Sequence, residues 1–169
     1  MQERVVIVGK MLKMFDELDA RLVKVLSDQP RVGLLEIARQ LGVARGTVSA
    51  RLDKMIKRGV ITGFGPEIDP HAIGFRILAF VWLEIYQGRL DEAVEQLRGV
   101  PEVLEAVATS GDRDLLCRVV AKDPEHLQEI VNTMVRTASV RRSTSHIALS
   151  HQIPLRTQPL LDAYAGERA

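Results

Sequence analysis

A chain of 169 residues, 46% hydrophobic and 27% charged, suffices for one large or two small globular domains. It holds no apolar run approaching the roughly 18 residues that span a membrane, and its single cysteine, Cys117, excludes an intramolecular disulfide framework and fits a reducing cytoplasm. The net charge of +1 hides an uneven split: residues 1–65 carry 12 Lys+Arg against 7 Asp+Glu, residues 66–169 carry 11 against 15. A front part at +5 joined to a remainder at −4 points to a nucleic-acid module coupled to something else.

Residues 1–14 read as an N-terminal extension. Val5-Val6-Ile7-Val8-Gly9 is too short for a signal core, and no GxGxxG follows it to support a dinucleotide fold. Asp16 offers an N-cap with Asp19 three residues on, and Leu18, Leu22, Val25 and Leu26 give the stripe of a first helix ending near Asp28. A second, short helix follows Pro30, with Leu34, Ile37, Ala38 and Leu41 apolar, and breaks at Gly42. A third begins at once and stops at Gly59. That outline predicts a helix-turn-helix over 15–62, with a tight glycine turn and small Ala38 where two helices cross.

In the third helix Val48, Leu52, Met55 and Ile56 form the expected buried stripe. The helix carries five basic residues against one acid, Asp53, with Lys54, Lys57 and Arg58 on its outward face and Arg45 and Arg51 at the margins. Small residues near the start of such a helix let its backbone enter the major groove. Arg45, Gly46, Thr47 and Ser49 are therefore the candidates for base contact, and Arg51, Lys54 and Lys57 for phosphates. A lysine-rich solvated helix would show the same face, but not the paired helix and turn.

Val60–Pro66 reads as a short strand or wing entering a linker over 63–74, punctuated by Asp69-Pro70 and Gly74. From there to residue 155 the periods alternate. Arg76–Tyr86 is extended and apolar on both faces: Ile77, Ala79, Val81 and Leu83 on one, Leu78, Phe80 and Trp82 on the other. A helix follows through Leu90, Ala93, Val94 and Leu97. Val103–Thr109 and Leu115–Ala121 read as strands, Asp123 caps a helix with Pro124 at its first position, and Val140–Ile153 is a last strand. The order βαββαβ is the ferredoxin-like plan, so the fold class is α+β. Two helices cover one face of such a sheet, and a second copy of the chain is the simplest cover for the other. Residues 156–169 remain as a C-terminal tail.

With both halves placed, the chain resembles the Lrp/AsnC (feast/famine) transcription regulators over roughly Phe15–Leu155. The resemblance rests on Leu18-Asp19, the segment Gly42–Ile61, Asp69-Pro70…Gly74, and Gly111-Asp112-Arg113-Asp114, which matches the family's Gly-x-x-Asp loop. It implies a winged helix-turn-helix on double-stranded DNA and a second domain that dimerises and assembles further, often to octamers. It also implies a small effector, usually an amino acid, bound between dimers near that loop. Ser110, Gly111, Asp112, Asp114 and Thr144 are the candidate effector residues. Backbone N–H groups at Gly111 suit a carboxylate, and Asp114 suits an amino group. Gly and Asp equally favour a plain hairpin turn there. The chain departs from the family at Gly33 and Ala44, N-cap positions often Ser or Thr in relatives, and in residues 1–10, which make Met11 or Met14 a candidate start.

No cofactor and no metal is expected. His71, His126, His146 and His151 lack zinc-site spacing. Ser143, Ser145, His146 and Asp114 make a triad only on paper, with no nucleophile elbow. Two other function classes stay open: an architectural DNA-organising protein without effector, and an enzyme like the sirohaem decarboxylases, which share this two-part plan. The second would need a histidine- and aromatic-rich pocket, and only 4% of residues here are aromatic.

Overall fold

Asp16 opens the first helix by accepting from the Asp19 N–H at 3.0 Å, while its own N–H donates to the Asp19 carboxylate at 3.2 Å. This reciprocal box satisfies donors that a helix start otherwise leaves unpaired. In the computed structural model, which describes residues 15–136 and 138–166, helix α1 then runs Glu17–Asp28, α2 Leu34–Leu41 and α3 Arg45–Lys57. The expectations for residues 1–14, with both alternative starts, lie outside the described residues. Gly42 turns the chain between α2 and α3 at φ +70°, and Val43 N–H reaches back to the Ala38 carbonyl at 3.0 Å. A side chain rarely adopts that conformation, which is why glycine stands there.

Leu22, Ile37, Ala38, Leu41, Val48, Leu52 and Met55 form the buried core of this unit. Three members of the expected α3 stripe are in it. The fourth, Ile56, sits at the rim and is 44% exposed, about 80° around the helix from Val48. Gly33 and Ala44 are the N-caps of α2 and α3, neither with a side-chain bond to the helix start. The segment expected as a short strand or wing forms no strand: residues 60–69 are bend and coil. Val60 N–H instead donates to the Met55 carbonyl at 2.9 Å, and the flexible Gly63 and Gly65 with the donor-less Pro66 leave no ladder to extend.

In the second unit β1 (Ile77–Ile85), α4 (Leu90–Arg98), β2 (Val103–Ala108), β3 (Leu115–Ala121), α5 (Pro124–Val135) and β4 (Val140–Ile147) follow in the expected order. The sheet runs β2-β3-β1-β4, every neighbour antiparallel. Ala79, Val81 and Leu83 of β1 and Leu115, Cys117 and Val119 of β3 are fully buried with Ala93 and Leu97 of α4 and Leu127, Ile130 and Met134 of α5. The last strand ends at Ile147, not at Ile153. Ala148 N–H donates to the Leu78 carbonyl at 2.8 Å, and β1 begins at Ile77, so the ladder runs out of partner.

Beyond it, where a plain tail was expected, Gln158–Gly166 forms α6. Contacts divide the chain into two units: residues to Pro66 together with those from Pro154 onward, and Glu67–Ile153 between them. No helix among the described residues is long and apolar enough to cross a membrane.

Candidate nucleic-acid interface and effector loop

The outward face of α3 is built by exclusion. Val48, Leu52 and Met55 commit one side to the core, and the 3.6-residue period then turns Gly46, Thr47, Ala50, Lys54 and Lys57 to water, all of them exposed. Arg45 is exposed at the first turn and Ser49 is half-buried at the margin. No acid occupies the first turn and Lys54 and Lys57 lie in the last, where they complement the negative end of the helix dipole. An open groove of about 640 Å³ lined by Gly33, Leu35, Ala38, Val43 and Arg45 adjoins the start of α3.

Arg51 is the exception among the expected phosphate contacts. Its Nη1 donates to both oxygens of Asp16, at 2.8 and 2.7 Å, and to Asp19 Oδ1 at 2.8 Å. Asp19 is 2% exposed, so this guanidinium neutralises a buried carboxylate. Burial pushes the Asp16 carboxyl up, but the Arg51 hydrogen bond and the Asp19 N–H outweigh it and hold it below its ordinary 3.8. Arg51 thus ties α3 to the capped start of α1 and lies half-buried, while Lys54 and Lys57 stay exposed. The sequence signal for this, a carboxylate pair in the first turn of α1, had been absorbed by the capping box.

The second site lies where β3 begins. Gly111, at φ +126°, lets the loop Ser110–Asp114 reverse between β2 and β3. Asp114 is anchored rather than free: its N–H donates to the Leu83 carbonyl at 3.0 Å, and its Oδ2 accepts from the Ile85 N–H at 2.7 Å. Arg113 pairs with Glu84 across the end of β1. Ser110, Gly111 and Asp112 remain exposed. Thr144 stands opposite Trp82 on the other side of β1, at the same end of the sheet as the loop, and points to the open face with Trp82 and Leu116. Only one Asp114 oxygen is taken up by the β1 backbone.

That open face also carries Leu78 and Phe80, the latter 37% exposed, with Val107 of β2 at its edge. In its midst the buried Nε of Arg118 finds no acceptor among the described residues, and a buried donor without a partner is uncommon.

The remaining candidates are not brought together. Ser145 and His146 are adjacent on a strand and therefore face opposite sides of the sheet, and Asp114 is engaged with the β1 backbone. His151 lies off the strand, His71 in the segment before β1, and His126 accepts from the Lys122 N–H at 3.2 Å near Glu102. Among the described residues no group of three His, Cys, Asp or Glu is placed to hold a metal. Burial pushes the Cys117 thiol up to about 11, far from a reactive thiolate.

Residues 15–62 match a winged helix-turn-helix DNA-binding model, and residues 78–157 match the Lrp/AsnC ligand binding domain. The HTH-type transcriptional regulator Ptr1 of Methanocaldococcus jannaschii is 33% identical over 114 residues, which cover 68% of this chain and 77% of that one. FL11 of Pyrococcus horikoshii is 31% identical over 134 residues, covering 79% and 89%. Among solved structures, AsnC of E. coli superposes with a TM-score of 0.79 at 25% identity, covering 85% of this chain and 98% of that one. A feast or famine regulatory protein from M. tuberculosis complexed with L-methionine gives 0.76 at 27% identity, covering 85% and 97%.

Proposed function

The chain belongs to the Lrp/AsnC family of transcriptional regulators, and from that premise we propose that it binds specific double-stranded DNA sites as a homo-oligomer under the control of an amino-acid-like effector. The outward, acid-poor face of α3 carries the DNA half of this reading. Gly46 and Thr47 are the residues for close approach and base contact, with Arg45 and Ser49 flanking them, and Lys54 and Lys57 serve phosphates. Changing Lys54 to Ala is expected to lower affinity on all sequences and to reduce the log–log salt slope by about 0.9. Thr47→Ala is expected instead to alter preference at one base pair, by about 1–3 kcal/mol. Mobility shifts over a salt series check both, and unchanged binding by either variant places the DNA face elsewhere.

The open face of the sheet supports a dimer formed by two such faces; higher assembly up to an octamer rests on the family alone. The effector half rests on the loop Ser110–Asp114 and Thr144. Loop N–H groups and Ser110 suit a carboxylate, and the remaining Asp114 oxygen suits an ammonium, the charge-assisted kind of bond. A coupling of about 1–3 kcal/mol between this site and assembly suffices to switch operator occupancy. Gly111→Asp is expected to abolish the response, because it sets a negative charge where a carboxylate binds and strains a backbone at φ +126°. Ser110→Ala leaves the backbone relaxed and is expected to weaken binding only. Titration calorimetry of wild type against the common amino acids is the direct check. Absence of heat from all of them, with the oligomer unchanged, favours the effector-free, architectural alternative.

A further inference from the structure

Helix α1 uses one side to close the three-helix core, through Leu22 with Leu18, Val25 and Leu26. Ala20 is 3% exposed yet stands outside that cluster. Lys24, four residues on, lies above it on the same side of the helix. That side is occupied by α6, which packs along α1, and the Lys24 ammonium donates to the Asp162 carboxylate at 3.0 Å. The helix starts at Gln158, one residue past the end of the match to the ligand binding domain. Pro159 sits near its beginning, where a missing N–H leaves no hydrogen bond unmade.

We propose that the Ala20–Lys24 face of α1 is a docking surface for the chain's own C-terminal helix, and that α6 is a strap giving the ligand-binding domain a second hold on the DNA-binding domain. Chain topology carries the argument. Residues 67–153 are inserted between the two segments that make up the other unit. The first strand of the sheet is entered from one link and the last strand leaves into the other. A shift of β4 therefore pulls on α1 through residues 148–157, in addition to whatever reaches α3 through residues 60–76. α1 in turn holds α3 by the Arg51 ion pairs. The strap acts on α1, the support of the helix assigned to DNA. Both partners of the Lys24–Asp162 pair are half exposed, so the pair sets the register of docking more than its strength. The docking stands by itself, whereas the coupling rests on the proposed DNA binding.

The test uses the full chain, a version ending after Thr157, the Lys24→Asp and Asp162→Lys variants, and their double exchange. Hydrogen exchange across Glu17–Asp28 is expected to speed by about tenfold on truncation, less in each single variant, and to return toward wild type in the double exchange. DNA affinity is expected to fall several-fold on truncation with the salt slope unchanged. Unaltered exchange in α1 on truncation overturns the docking. Recovery on mixing the two single variants also overturns it, because the helix then comes from a second copy. Faster exchange with DNA affinity unchanged overturns the strap. A wild-type chain that binds no DNA contradicts the regulator reading instead, and the exchange result remains its own answer.

Discussion

Replacing Trp82 by Asp is expected to yield a monomer that keeps its secondary structure. Trp82 lies on the face of β1 opposite Ala79, Val81 and Leu83, so the core beneath the helices is untouched by the change. Its neighbours on the open face are Leu116 and Thr144, directly across from it, and Phe80 along the strand. In an interface related by a two-fold axis each substitution occurs twice. An unpaired carboxylate forced into a dry interface costs about 3 kcal/mol per copy, so dissociation rises on the order of 10⁴-fold. Sedimentation of wild type and variant at micromolar concentration measures it. A wild type that is already a folded monomer contradicts the sandwich of sheets.

The second large effect is expected at Arg51. Arg51→Met keeps an unbranched apolar stem but leaves the buried Asp19 carboxylate without its cation. Removing one partner of a buried pair costs about 3–5 kcal/mol. Here Asp16 and Arg51 reach water, and about 2 kcal/mol is the expected loss in thermal or denaturant unfolding. DNA affinity falls with it, because α3 loses its tie to α1, while the salt slope stays as in wild type. A slope reduced by about one unit would instead make Arg51 a phosphate contact.

Acid provides a further check. The Asp16 carboxyl lies below its ordinary 3.8, so the pair stabilises the fold above that pH and the stabilisation is lost as pH falls below it. The stability difference between wild type and Arg51→Met is therefore expected to close in acid.

The elements that were legible in the sequence are those written in local chemistry. The Asp16 box, the Gly42 turn, Asp123-Pro124 and the two-faced run Ile77–Leu83 each announce themselves within a few residues, and the fold follows from their order. The exposed side of α3 was readable for the same reason, since a buried stripe defines its opposite.

What escaped depends on residues far apart. Arg51 sits on the margin of α3 and looks like any other basic residue until α1 brings two carboxylates to it from 32 and 35 positions away. Asp114 reads as a free ligand group, yet the end of β1 supplies a backbone N–H for it across 29 positions. The end of β4 was misjudged because apolar residues continue to Ile153, whereas pairing is limited by where β1 starts. Helix α6 has a short, weakly patterned sequence, and its docking surface is a face of α1 that no local rule reveals.

Selection of bound fragments from a random double-stranded DNA pool by the full chain, repeated in the presence of each common amino acid, tests the central claim most directly. The expected result is enrichment of one recurrent site, with its recovery changed by at least one amino acid. Uniform recovery of all sequences, unaltered by any amino acid, would contradict a specific, effector-controlled regulator.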